Sequence, residues 1–441
     1  MKSIMITAPN SGSGKTTITM GLIRALKNKG KNVSCFKTGP DYIDTAFLGV
    51  ASRAAAGNLD MHLQGKQGMR KAFAFGTGDL CIIEGAMGYF DGMYNTFENS
   101  SYDIANTLGV AAILIYTPKG EMFSAVPKIK GMATFENANI KGVILNKVNA
   151  HYYELLKAQI EKYTSVKVLG FIPDMQDVSI ESRHLGLVQS VEMQDIDQKI
   201  ERMAQVVTEN IALDTLIEMM QEVEKEALPI YEKRDITVAI AKDKAFSFYY
   251  RENIKMLEST CEVVYFSPLT DKSLPPCDII YLGGGYPEVF AKQLSENTGM
   301  LLDIQKFAQA GGCIYAECGG FMYLTEKIEG YKMVGVFEGK SRLTHKLQRF
   351  GYIDITLKQE CILGAAGERL TAHEFHKSVS EVAGKEVFEI QKTMGMRTWA
   401  CGYRYKNVLA GYPHIHFLGN ESVFKSIINH VERSKKICKE F

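Results

Sequence analysis

The sequence carries almost no net charge: 51 lysines and arginines stand against 50 aspartates and glutamates, a formal +1 at pH 7. That balance supplies no electrostatic drive toward nucleic acid or an anionic membrane surface. No apolar run reaches the roughly 20 residues needed to span a bilayer. The first residues, MKSIMITAPNSGSGKTT, lead straight into a strand and a glycine-rich turn, with no cleavable apolar segment. The nine cysteines are odd in number, scattered, and contain no CxxC pair, which argues against a disulfide framework and against a structural zinc site. Internal repeats and low-complexity stretches are also missing. The expectation is a soluble cytoplasmic protein with neither nucleic acid nor membrane as partner.

What is present is an ordinary globular composition, 46% hydrophobic and 23% charged, in a chain of 441 residues. That length exceeds one ordinary core, so two or three domains are expected. In the first half, short apolar runs alternate with helical stretches, the pattern of an α/β fold whose mostly parallel sheet is covered on both faces. Strands are predicted at residues 3–8, 33–37, 80–84, 111–116, 142–145 and 166–171. Ile18, Leu22, Ala25 and Leu26 have helical spacing, and Gly30 stands where a helix-terminating glycine belongs. Residues 193–234 are helical and charge-rich, with no strand signal. The β-α alternation then restarts at residues 236–241 and continues at 261–266, 278–282 and 313–316. The predicted organisation is a first domain over residues 1–192, a helical segment and linker over 193–234, and a second domain over 235–441.

Between the first strand and the first helix lies Gly12-Ser13-Gly14-Lys15-Thr16-Thr17. Amides at a helix N-terminus favour an anion, and glycines let the backbone curl around phosphate oxygens. Lys15 would face the β- and γ-phosphates, and the Thr16 hydroxyl could ligate magnesium. Pro9 replaces the first glycine of the strict phosphate-loop pattern. Beyond the second strand come Asp41 and Asp44, where ligands bind in open α/β sheets. Asp41 is a candidate magnesium ligand; the plainer alternative is an N-cap and a solvated turn. Glu84 ends a buried strand beside the loop, the place for a second metal ligand or a water-positioning group.

In the second half, Cys318 stands between a strand and a helix and is followed by Gly319. A sharp turn there would expose the sulfur, and the helix N-terminus would favour the thiolate. The amides of Gly284 and Gly285, which also follow a strand, could form an oxyanion hole with that of Gly319. A cysteine nucleophile needs a base, and His414 and His416 are offered together on one face of a predicted strand. The run His373-Glu374-Phe375-His376 is one residue too short for a metalloprotease helix, so a zinc site is not expected.

With both halves in view, the chain resembles the corrin-ring amidating enzymes, in particular the cobyrinate a,c-diamide synthases. The resemblance rests on SGSGKTT (residues 11–17), KTGPDYID (37–44), NLD (58–60), IIEGAMGYFDGM (82–93), GVILNKV (142–148), SRHLGLV (182–188), AFSFYY (245–250), YLGGGYPE (281–288), YAECGGFMYL (315–324), HEFHKS (373–378) and HIHF (414–417). It implies a dethiobiotin-synthetase-like ATP-binding domain followed by a class I glutamine amidotransferase-like α/β sandwich. It implies ATP with Mg2+, glutamine, and a cobyrinate-like tetrapyrrole whose a and c acetate carboxylates are amidated. Carried over, Cys318 becomes the glutaminase nucleophile and His414 its base. Asp41, Asp44 and Glu84 become the acidic residues of the synthetase site, and Asn146 lies where such folds contact the nucleobase. Arg183 and His184 would lie nearby. In many such amidotransferases a glutamate two positions beyond the histidine orients it; here that position is His416, which leaves the third triad member open. Open too are the tetrapyrrole (cobyrinate, nickel-sirohydrochlorin or another), ATP against GTP, and monomer against homodimer. A nucleotide-switch binding protein with an inactive second domain is the rival from another class.

Overall fold

The computed structural model describes residues 1–175, 178 and 195–439. The motif at 182–188, with Arg183 and His184, lies outside them. The chain divides into two compact units, Met1–Met61 with Gly65–Leu228, and His62–Gln64 with Pro229–Phe441. Among the described residues no helix is long and apolar enough to cross a membrane.

In the first unit the elements alternate: β1 (Lys2–Thr7), α1 (Lys15–Asn28), β2 (Val33–Thr38), α2 (Tyr42–Ser52), β3 (Gly57–Leu59), α3 (Met61–Ala74), β4 (Leu80–Glu84), α4 (Ser101–Leu108), β5 (Ala111–Tyr116), α5 (Ala125–Thr134), β6 (Ile140–Asn146), α6 (Ala150–Tyr163) and β7 (Lys167–Ile172). α7 (Ile196–Asn210), α8 (Leu213–Met219) and β8 (Gln221–Glu222) close it. The strands run in the order β3-β2-β4-β1-β5-β6-β7, all parallel, and β8 adds antiparallel pairing to Lys2 and Ser3. β8 is a strand that the charge-rich segment did not announce. It is two residues long, too short for hydrophobic alternation to register. The predicted strands all form, with ends displaced by two residues at most. β2, β4 and β5 are buried along their whole length, which is why they read as continuous apolar runs.

Helix α1 buries Ile18, Leu22, Ala25 and Leu26 and packs against α7. Full burial of a leucine or isoleucine contributes roughly 2 kcal/mol by transfer. Gly30, at φ 78°, donates to the Lys27 carbonyl and ends the helix as expected. One charge lies wholly inside this packing. Arg24 is 0% exposed; it donates to the carbonyls of Val50 and Ala51, at the C-terminal end of α2, and to Asp197 and Glu201 of α7. A cation there complements the helix dipole while satisfying terminal carbonyls. Arg24→Met should lower unfolding stability by about 2 kcal/mol, because buried acceptors lose their donor while the exposed carboxylates regain water. Urea titration of the two proteins would measure it.

The second unit begins with β9 (Thr237–Ala241), β10 (Phe246–Phe248), α9 (Arg251–Thr260), β11 (Glu262–Phe266), β12 (Ile279–Leu282) and β13 (Gly284–Gly285). α10 (Ala291–Glu296), α11 (Thr298–Gln309), β14 (Cys313–Glu317) and α12 (Gly319–Leu324) follow. Then come β15 (Thr325–Ile328), β16 (Tyr331–Lys332), β17 (Phe337–Leu343), β18 (Arg349–Leu357), β19 (Arg369–His376), β20 (Ser378–Val382), β21 (Phe388–Lys392), β22 (Thr398–Cys401), β23 (Tyr403–Tyr405), β24 (Val408–Gly411) and α13 (Glu421–Lys439). The main sheet has the order β11-β9-β12-β14-β24-β23, parallel except at β23. Two four-stranded sheets, β16-β15-β17-β20 and β19-β18-β21-β22, stand beside it. The run at 373–376 is therefore strand, not helix.

Candidate active sites on the two units

In the first unit, β1 delivers the glycine-rich loop to the N-terminus of α1. Gly14 takes φ 83°, a left-handed conformation, and a Cβ there would stand 2.7 Å from Asn146 Nδ2. Asn146, at the end of β6, donates to the Ser13 carbonyl at 2.9 Å, so its amide holds the loop. Ser13 Oγ closes the turn on Asn10. Lys15 Nζ donates to the carbonyls of Met87 (2.6 Å) and Asn10 (3.2 Å). Burial, with Lys37 nearby, pulls the Lys15 ammonium down to about 8.

The parallel pairing of β1, β2 and β4 brings the expected acidic residues alongside this loop. Thr16 Oγ1 donates to Glu84 Oε1 at 2.6 Å and lies 3.5 Å from Asp44 Oδ2. Lys37 Nζ donates to both of those carboxylates at 2.7 Å. Burial disfavours the Lys37 ammonium, yet Asp44, Glu84 and Asp41 outweigh it and hold the group above the usual lysine range. Burial likewise raises Asp44, but Lys37 and Thr16 prevail and hold it low; Glu84, fully buried, is raised. Asp41 caps α2, accepting from Ile43 N (2.8 Å) and Asp44 N (2.9 Å), and burial raises its carboxyl to about 7. Asn58 fastens this turn through the carbonyls of Gly39 and Asp41. Gly12, at φ 75°, and Thr17, in the first turn of α1, complete the loop.

Magnesium bound with a nucleotide takes hard oxygens from one or two side chains, phosphates and water. The donors here fit that demand. Thr16 Oγ1 and Glu84 Oε1 adjoin, and Glu84 Oε2 is buried with no hydrogen-bond partner. Lys37 had no assigned role in the sequence, although it opens the motif at 37–44. Only the sheet register shows that it reaches Glu84.

In the second unit, β14 ends at Glu317 and Cys318 turns the chain at φ 48°, ψ −104° into α12. Such a backbone is strained for a residue with a Cβ and is characteristic of functional turns. Cys318 N donates to Gly411 O (2.7 Å), Met322 N to Cys318 O (3.0 Å), and Gly320 N to Gly283 O (2.9 Å), which lock the turn. The glycines expected at the oxyanion position do gather here. A Cβ on Gly319 would stand 3.1 Å from Gly285 N, and one on Gly284 would stand 2.6 Å from His414 Cε1. Their backbone, the cysteine turn and His414 thus meet at one end of the sheet.

The thiol differs from expectation. Burial, together with the charges of Glu288, Glu374 and Glu317, pushes Cys318 well above the usual thiol range, and the Gly319 amide only partly offsets this. The six-residue helix behind it does not outweigh desolvation.

The two histidines are not on one strand face, because the chain beyond Gly411 leaves the sheet. His414 pairs by backbone with His373 (2.9 and 3.0 Å), and its Nδ1 lies 3.5 Å from Glu317 Oε2. His416 turns elsewhere within this unit: its Nε2 is 2.8 Å from Gln64 Nε2 and 3.7 Å from Glu252 Oε2, and its Nδ1 accepts from Leu418 N. Burial holds His373 down to about 3 and His376 to about 4, both neutral at pH 7. His376 stacks on Tyr412 with ring centroids 3.7 Å apart. Glu288 and Glu374, both raised to about 7 by burial, were missed in the sequence because nothing local marks a strand or turn glutamate as buried.

Residues 4–188 match the CobQ/CobB/MinD/ParA nucleotide binding domain family. Residues 237–422 match the CobB/CobQ-like glutamine amidotransferase domain family. A cobyrinate a,c-diamide synthase of Clostridium tetani is 43% identical over 97% of this chain and 100% of its own length. That of Clostridium acetobutylicum is 42% identical over the same shares. That of Fusobacterium nucleatum is likewise 42% identical over 97% of this chain and 100% of its own. With the phosphate-loop sheet and the cysteine turn both in place along an end-to-end match of this identity, the chain belongs to the cobyrinate a,c-diamide synthase family.

Proposed function

We propose that this protein is an ATP-dependent, glutamine-hydrolysing ligase that converts the a and c acetate carboxylates of cobyrinate into amides in cobalamin biosynthesis. The observation that carries this reading is the pairing, in one chain of this family, of a phosphate loop whose Thr16 meets Glu84 with a strained cysteine turn whose glycines meet His414.

In the second unit, the Cys318 thiol passes its proton to His414 as sulfur attacks the glutamine carboxamide carbon. The amides of Gly284, Gly285 and Gly319 face the oxygen on which charge develops. His414 returns the proton to the leaving nitrogen, releasing ammonia and a thioester. Water, deprotonated by His414, then frees glutamate and the thiol.

In the first unit, a substrate carboxylate oxygen attacks the γ-phosphorus of ATP. The bond to ADP breaks and an acyl phosphate forms. Lys15 and the loop amides hold the phosphates, and Asn146 holds the loop. Thr16, Glu84 and Asp44 are the residues that would hold Mg2+, with Asp41 shaping their turn; the ion would supply charge neutralisation on the phosphates. Ammonia then attacks the acyl carbon, phosphate leaves, and the nitrogen sheds a proton.

Mass spectrometry of reactions with ATP, Mg2+ and glutamine tests the substrate. Cobyrinate should gain two amides, while sirohydrochlorin or its nickel complex should gain none. A double gain on the sirohydrochlorin substrate alone would overturn the assignment.

A further inference from the structure

We infer that Glu317, the residue immediately before Cys318, is the carboxylate that orients His414 during glutamine hydrolysis, a positioning residue supplied by β14. The inference rests on the reading of Cys318 and His414 proposed above. Glu317 is 1% exposed, and its Oε2 lies 3.5 Å from His414 Nδ1. Nδ1 is the nitrogen on which nucleophile–histidine–carboxylate sites place the orienting carboxylate, the other ring nitrogen being the one that exchanges protons with the nucleophile.

The carboxylate is itself held on every side. Tyr281 Oη donates to Oε2 (3.0 Å), while Tyr315 Oη (2.8 Å) and Ile415 N (3.1 Å) donate to Oε1. Three donors fix its plane. Ile415 lies directly after His414, so the same carboxylate anchors both the backbone and the ring of the histidine segment. Position 416 offers no alternative acid: His416 points to Gln64 and Glu252. Pairing of Glu317 with Gly411 in the β14–β24 ladder brings the carboxylate to this place.

The test compares Glu317→Gln with Glu317→Asp. Glutamine keeps the volume and most hydrogen bonds but loses the charge; aspartate keeps the charge on a shorter arm. A space-filling role would be better served by glutamine, an orienting role by aspartate. Expected for Glu317→Gln is a glutaminase kcat lower by roughly 100-fold with KM for glutamine within about twofold. Amidation from supplied ammonia should stay within about twofold of the unaltered chain, and Glu317→Asp should retain at least about tenfold more kcat than Glu317→Gln. A kcat for Glu317→Gln within about threefold of the unaltered chain, or at or above that of Glu317→Asp, overturns the inference. Should Glu317→Gln fail to fold, Glu317→Ala takes its place: a kcat more than about threefold below that of Glu317→Asp at unchanged KM supports the inference, a smaller difference overturns it. If Cys318→Ala keeps glutaminase activity, the reading of the site itself fails. If Cys318→Ala loses that activity while Glu317→Gln keeps it, only the Glu317 assignment fails.

Discussion

Cys318→Ala is expected to lower glutamine hydrolysis and glutamine-dependent amidation by at least about 1,000-fold, while amidation from supplied ammonia continues. The size follows from chemistry: without sulfur no thioester forms, and only direct attack by water on an amide remains. The persistence of the ammonia reaction follows from structure. Cys318 makes its locking contacts through backbone N and O, to Gly411 and Met322. Alanine keeps the Cβ and those amides, so the turn at φ 48° carries no strain that cysteine did not already carry. Product analysis with glutamine in one arm and ammonium chloride in the other separates the outcomes. Intact glutaminase activity would remove Cys318 from the chemistry. Loss of the ammonia-dependent reaction as well would make it a folding residue.

Lys15→Met has the complementary signature, with amidation lost from either nitrogen source and glutamine hydrolysis persisting. A charge aimed at the transferring phosphoryl group contributes about 100- to 1,000-fold or more in rate. Lys15 is buried to 7% exposure beside Lys37, a setting that depresses its pKa to about 8 and that a bound polyphosphate would relieve. Methionine has nearly the same reach without the charge. Its carbonyl partners at Asn10 and Met87 lie in part-buried backbone that water can reach, so the fold should survive. Steady-state ADP release with cobyrinate and ammonium chloride measures the effect. Activity within about threefold of the unaltered protein would place phosphoryl transfer elsewhere.

Much of this was legible in the sequence wherever function is written locally. A phosphate loop needs consecutive residues, so Gly12 to Thr17 could be read directly. The strands buried on both faces of the first sheet announced themselves as apolar runs, and the cysteine turn did so through its glycines. The sequence also located His414, although it placed both histidines on one strand face. The chain leaves the sheet after Gly411, His414 pairs by backbone with His373 instead, and the side chains of His414 and His416 reach different partners.

What the sequence by itself determined is therefore the family, together with the groups proposed to react: Lys15 and Thr16 on one helix, and Cys318 on one turn. Only the tertiary structure decided how those groups are tuned. Lys37 against Glu84, and Glu317 against His414, are meetings set by the register of parallel strands far apart in the chain. The same burial raised the Cys318 thiol where the helix dipole alone had suggested a thiolate. The physical reason is common to all of them: helix starts and glycine turns act over a few residues, whereas desolvation and charge pairing depend on what the folded chain packs around a group.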